Sequence, residues 1–180
     1  HIKPKLPSTE PPVTTADPAL RWEEEIKIRL RDWGYTETYT YSMISEELID
    51  VFHLDKKRAY KIANPLSSEW VYMRPTLWPS LLSCIKQNLN YESSLQLFEL
   101  SMVYEWRDGN LPNEKPVLLV AETGNRFYEL KGLAETLIAL FGCSDSYDHY
   151  GTLEFVEQKY LDALCIKTPV VLLELDFGAL

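Results

Sequence analysis

The sequence predicts an α+β domain, an antiparallel β-sheet flanked by helices. Three observations point there. Apolar residues recur at helical spacing in three segments, 17–33, 76–90 and 130–141. β-Favouring runs lie between and after them, the last being 170–177. Two of these runs, 95–106 and 116–122, flank the turn pair Asp108-Gly109, as an antiparallel hairpin requires.

Residues 1–16 hold four of the eleven prolines and no apolar periodicity, so they read as an extended arm from a preceding module. The domain proper is expected over 17–180. Asp17-Pro18 supplies an N-cap carboxylate and a proline for the first helical position. Trp22, Ile26, Leu30 and Trp33 then form one face, and Gly34 ends the helix. Glu23, Glu24 and Glu25 near its start, with Arg29 and Arg31 near its end, suit the helix dipole. A Thr/Ser–Tyr alternation over 36–43 reads as a strand. Ser45 caps a short helix to about Phe52, and 60–63 is a short strand ended by Asn64-Pro65. In the helix over 76–90, Trp78, Leu82, Ile85 and Leu89 share a face, and Pro79 sits in the first turn, where it is tolerated. Along 95–106, Phe98, Leu100, Met102 and Tyr104 point one way, and Leu97, Glu99, Ser101 and Val103 the other. After the helix over 130–141 come a shorter strand, a shorter helix and the terminal strand.

Composition narrows the function. With 46% hydrophobic and 25% charged residues the chain of 180 is globular, not disordered. Its apolar runs fall short of the roughly 18 residues of a membrane span. The net charge is −9, and no stretch is dense enough in Lys and Arg for a free-standing nucleic-acid binder. Contact with RNA is therefore expected to be weak or shared with a partner. Cys84, Cys143 and Cys165 are far apart and form no CxxC, which reads as three reduced thiols in or near a core. With no signal-peptide pattern, a reducing cytoplasm fits. The chain starts at His1, not Met, and reads as part of a longer protein.

Signatures of common chemistry are absent: no Walker A loop, GxGxxG, GxSxG or HExxH. Asp145, Asp148 and His149 form either a small metal or acid–base cluster or, the blander reading, a solvated loop.

The ordered motifs of 62–104 are more informative. They run Asn64-Pro65-Leu66-Ser67-Ser68-Glu69, then Met73-Arg74-Pro75-Thr76-Leu77, then Asn88-Leu89-Asn90, then Leu97-Phe98-Glu99-Leu100-Ser101-Met102-Val103-Tyr104. This order resembles the catalytic-like region of the β subunit of bacterial phenylalanine–tRNA ligase. The likeness extends to 30–42, to Thr123-Gly124-Asn125, to 127–132 and to Leu173-Glu174-Leu175-Asp176-Phe177. Departures occur where only Arg126 separates Asn125 from Phe127 and where Tyr150-Gly151 runs almost directly into the last helix. Both places are expected to lack loop segments that the family carries. Ser80 and Ser101 stand where glycine is common.

The resemblance implies a fold similar to class II aminoacyl-tRNA synthetase catalytic domains. It also implies a non-catalytic role beside a catalytic α subunit, in an (αβ)2 holoenzyme that attaches phenylalanine to tRNA(Phe) with ATP and Mg²⁺. A second αβ pair would complete the assembly, and no cofactor is expected in this domain. The residues argue the same way. Class II chemistry develops charge on a phosphate that preorganised arginines stabilise. The strand over 95–106 has no Arg, and neither does the whole stretch 132–180. Two other classes stay open: an active ATP-dependent ligase domain and a tRNA-binding module. Arg74 is expected to bridge Glu69 or Glu99, or to touch the α subunit. Asn64-Pro65 is expected to be a rigid turn. Trp70, Trp78 and Tyr91 are either core residues or interface anchors, and the helices over 17–33 and 76–90 are the candidate partner-facing surfaces.

Overall fold

The computed structural model describes residues 4–5, 17–143 and 146–179. Its frame is a five-stranded sheet. Strand β4 (Gln96–Glu105) pairs antiparallel with β5 (Asn113–Thr123), and β5 pairs with β7 (Val170–Asp176). The edges are β6 (Gly151–Phe155), antiparallel to β7, and β1 (Thr36–Glu37), parallel to β4, giving the order β1-β4-β5-β7-β6. A two-stranded sheet of β2 (Met43–Ile44) and β3 (Tyr72–Met73) stands beside it.

Both faces of the large sheet are covered, so its central strands are apolar on both sides. Phe98, Leu100, Leu118, Val120, Val171, Leu173 and Leu175 pack under α1 (Pro18–Asp32) and α4 (Phe127–Leu140). Their alternates Leu97, Val103, Val117, Leu119, Ala121, Val170 and Leu172 pack under α3 (Trp78–Asn88) and α5 (Gln158–Ala163). The period of two read along β4 is thus the period that splits the two cores. Each fully buried Leu, Ile or Phe contributes roughly 1.5–3 kcal/mol relative to an exposed one. A third, smaller cluster joins Ile44, Ala59, Val71 and Tyr72 to Ile49 of α2 (Glu46–Val51).

Local signals act where the sequence places them. Asp17 Oδ1 accepts the Ala19 N–H at 2.9 Å, Pro18 opens α1, and Ser45 Oγ accepts the Leu48 N–H of α2. Gly34 follows α1 at φ +94°, a conformation that needs glycine.

Several expectations are corrected. Glu23, Glu24 and Glu25, read as near enough to the helix start to suit its dipole, lie in the second turn of α1, past the first turn where the dipole acts most. Glu23 and Glu25 instead pair with Lys27 and Arg29 one turn on. The strand read over 36–43 breaks into β1 and β2, because the Thr40 N–H donates to the buried Glu99 carboxylate and the Tyr41 carbonyl accepts from Arg74, so neither group joins a ladder. Residues 60–63 make one isolated bridge, Lys61 to Tyr72, so Asn64-Pro65 ends no strand. Helix α4 begins at Phe127, three residues early. Cys165 is exposed, while Cys84 and Cys143 are half-buried, and none forms a disulfide. The arm over 1–16 lies outside the described residues except at 4–5, which are exposed and irregular.

Candidate functional site

The largest fully buried side chain is that of Arg74, in the connection from β3 to α3. Every nitrogen of its guanidinium donates inside the domain. Nε bonds the Met102 carbonyl at 3.1 Å, and Nη2 bonds Ser101 Oγ at 2.6 Å. Nη1 bonds Thr40 Oγ1 at 2.7 Å and Glu99 Oε1 at 2.8 Å. Glu99, itself 1% exposed, also accepts the Thr40 hydroxyl at 2.7 Å. Of the two carboxylates weighed as partners for Arg74, Glu99 takes the role. Glu69 is exposed, and its backbone N–H caps onto Ser67 Oγ. Backbone bonds close the same region: the Arg74 N–H donates to Ser42, and the Arg74 carbonyl accepts from Tyr104. The hub therefore ties the 38–42 segment, β3, the start of α3 and β4 into one unit. Thr40 was not singled out from the sequence, and Ser101 was noted only as a departure from the family pattern, not as a partner of Arg74. The available signal was Ser101, a hydroxyl at a strand position where glycine is common.

The other candidates separate. Phe98 is completely buried in the core under α1 and α4. Trp78 packs against the opposite core, and its Nε1 donates to Glu174 Oε2 at 2.8 Å. Burial pushes the Glu174 carboxyl above its ordinary range, against the hydrogen bond from Trp78 and the charge of Lys115. Trp70 is partly exposed and meets Tyr41 edge-on, with centroids 4.8 Å apart. Tyr91 stands 89% exposed, and Asn64 and Pro65 are exposed in an irregular bend. Asp148 and His149 are exposed around a single 3-10 turn, while Asp145 lies outside the described residues. Among the described residues no three His, Cys, Asp or Glu side chains gather as metal ligands would.

A second buried carboxylate was also missed. Glu122 of β5 is fully buried, and its Oε1 accepts the Tyr35 hydroxyl. Its Oε2 lies 3.5 Å from Arg126 Nη1. Burial first, and Glu122 second, push the Tyr35 phenol well above the usual tyrosine range.

The main cleft, about 700 Å³, opens between the start of α1 and the β4–β5 edge. Leu20, Trp22, Tyr39, Met102 and Phe177 give it an apolar wall, and its charged lining is Asp17, Glu23 and Lys27. Lys27 is committed to Glu23 and Glu37. Among the described residues no helix is long and apolar enough to cross a membrane.

Comparison with solved structures fits this architecture. Pyrrolysyl-tRNA synthetase from Desulfitobacterium hafniense superposes with a TM-score of 0.71 at 14% identity, covering 90% of this chain and 67% of that one. The fold is thus that of a class II synthetase. In sequence, the phenylalanine–tRNA ligase beta subunit of Solibacter usitatus is 31% identical over 143 residues, covering 76% of this chain and 19% of that protein. That of Syntrophotalea carbinolica is 34% identical over 201 residues, covering 87% of this chain and 25% of that protein. An alignment of 201 positions exceeds the 180 residues here, so that relative carries segments this chain lacks. The chain spans about a fifth to a quarter of the length of these relatives. The family model for the phenylalanyl tRNA synthetase beta chain CLM domain matches residues 2–159, and with the fold in agreement the chain belongs to that family.

Proposed function

We propose that this chain is the non-catalytic, class II-like scaffold of a phenylalanine–tRNA ligase in the cytoplasm. It packs against the catalytic α subunit within an (αβ)2 assembly, and that subunit carries ATP, Mg²⁺ and the transfer of phenylalanine to tRNA(Phe). One observation carries the reading: Arg74, the arginine at the centre of the fold, is buried and spent on Glu99, Thr40, Ser101 and Met102. A guanidinium so committed has no fork left for a nucleotide phosphate. The main cleft does not fit one either: among the described residues its one cation, Lys27, already serves two carboxylates.

The partner-facing surface is assigned to α1 and the mouth of the cleft. Leu20, Trp22, Trp33 and Tyr39 are exposed there, and large aromatics on a polar-rimmed face suit an interface core. Helix α3 is a poorer choice, since Leu81, Leu82 and Ile85 are buried under the sheet.

Light scattering on a sizing column tests this with the full β chain and its α subunit. Trp22→Asp with Tyr39→Asp is expected to dissolve the complex while the β chain stays folded. An unaffected complex would refute the assigned surface. ATP–pyrophosphate exchange by this chain alone, dependent on phenylalanine, would refute the scaffold role itself.

A further inference from the structure

The large sheet ends in two unlike edges. One is β1, two residues long. The other is β6, five residues long, reading Gly151-Thr152-Leu153-Glu154-Phe155. Among the described residues β6 pairs with β7 alone, with Thr152 opposite Glu174 and Glu154 opposite Leu172. Two bonds continue that ladder past its ends: the Asp176 N–H donates to the Tyr150 carbonyl at 2.8 Å, and the Val156 N–H to the Val170 carbonyl at 2.9 Å. Antiparallel ladder bonds fall on every second residue, so those of β6 fall on Thr152 and Glu154. The N–H and C=O groups of Gly151, Leu153 and Phe155 therefore point outward, and among the described residues nothing bonds them. The usual guards of an edge are missing. β6 has no proline and no lysine, and its one charge is Glu154. The surface beside it is aromatic: Phe155, 44% exposed, stacks on Phe127 with centroids 5.8 Å apart, and Tyr128 is 83% exposed.

We propose that β6 pairs antiparallel with β6 of a second copy of this chain, about a two-fold axis at Leu153, joining the two sheets into one. A second copy fits because the strand is its own complement. With the axis at Leu153, Leu153 meets Leu153 and Gly151 meets Phe155, so every outward backbone group of the strand finds its partner. Phe155 then covers Gly151 of the other copy, an edge glycine with no side chain of its own to pack. On the opposite face Glu154 stands across from Thr152, not from another carboxylate. An unrelated extended peptide would gain the backbone bonds but not this matching of side chains. The axis runs through the sheet from face to face, so Phe155 and Tyr128 of both copies come to the same side of the joined sheet. The net charge of −9 on each copy opposes association, and salt screens that repulsion beyond about 8 Å, so the pairing strengthens with ionic strength. The inference does not rest on the scaffold reading.

Sedimentation velocity and amide exchange on this chain test the proposal. So short an edge makes a small interface, so half-dimerisation is expected near about 0.1 mM and is sought from about 10 µM to about 1 mM. The amides of Gly151, Leu153 and Phe155 are expected to exchange more slowly as the dimer fills, while those of Thr152 and Glu154, already bonded to β7, change far less. Phe155→Pro removes an outward N–H that β7 does not use, and is expected to stay monomeric at every concentration. Thr152→Lys sets a lysine opposite Glu154 at two places in the dimer, and is expected to tighten it about fivefold. That gain is specific to this register and does not depend on how well the proline variant folds. A monomer across the whole range, a dimer that survives Phe155→Pro, or a dimer whose Gly151, Leu153 and Phe155 amides exchange as fast as in the monomer overturns the proposal.

Discussion

Nη1 of Arg74 lies 2.8 Å from Oε1 of Glu99, and neither side chain reaches solvent. Such a pair stabilises little against an apolar replacement, but breaking it strands a buried charge at a cost of about 3–5 kcal/mol. Arg74→Met and Glu99→Leu are each expected to lose about that much in urea unfolding. The double variant is expected to lose clearly less than the sum. Arg74→Lys does not rescue, because an ammonium cannot serve Met102, Ser101 and Glu99 in three fixed directions. Loss of a partner complex in an Arg74 variant would therefore report on folding, and the docking surface proposed on α1 is to be tested at its exposed positions.

Gly151 opens β6 against β7, where a Cβ would run into the backbone carbonyl of Glu174. The clash is with backbone, which cannot swing aside. Gly151→Ala is expected to lose about 2–3 kcal/mol, by the same denaturation measurement. Gly132, inside α4 with open space around it, predicts the opposite. Gly132→Ala is expected to gain about 0.5–1 kcal/mol through helix propensity.

The elements legible in the sequence are those whose residues act locally. Asp17-Pro18 and Ser45 start helices by capping their own chains, and the alternation of Leu97 and Phe98 marks two faces without reference to a partner. What escaped depends on residues distant in sequence. Thr36 to Met43 has strand-like alternation, yet the Thr40 N–H turns to Glu99 and the Tyr41 carbonyl to Arg74 instead of to a ladder. Glu122 looks like one acidic residue at a strand end until Tyr35, from the far side of α1, proves to hold it. The Arg74 hub was half readable: Glu99 was one of two partners considered, Ser101 showed only as a residue standing where glycine is common, and Thr40 carries no local signature.

Glu174 gives the fold a defined pH response. Burial raises its carboxyl above the ordinary range, so the folded state holds this proton more tightly than the unfolded one. Its effect on stability is then most favourable at and below the ordinary carboxyl range and worsens as pH rises through the raised folded value. Glu174→Gln keeps an oxygen to accept the Trp78 indole N–H but cannot ionise. The variant is expected to match the parent near pH 4 and to melt higher than it at pH 7. Parallel melting curves across that range check this, since every other titrating group is common to both proteins.

The Tyr35–Glu122 pair predicts an asymmetric set of mutants. Oε1 of Glu122 depends on the Tyr35 hydroxyl, while Oε2 has no hydrogen-bond donor among the described residues and only the half-exposed Arg126 at 3.5 Å. Tyr35→Phe removes the hydroxyl donor and leaves a buried carboxylate dependent on a solvent-screened cation, at a cost of about 2–3 kcal/mol. Arg126→Ala removes the screened partner alone and costs about 1 kcal/mol. Glu122→Gln keeps an acceptor for the hydroxyl and sheds the charge, so it is expected to be milder than Tyr35→Phe. Equilibrium unfolding ranks the three. An alkaline titration followed at the phenolate band gives an independent check. The Tyr35 phenol is held above the tyrosine range by burial and by Glu122, so Tyr35→Phe is expected to lose no phenolate amplitude until the chain unfolds.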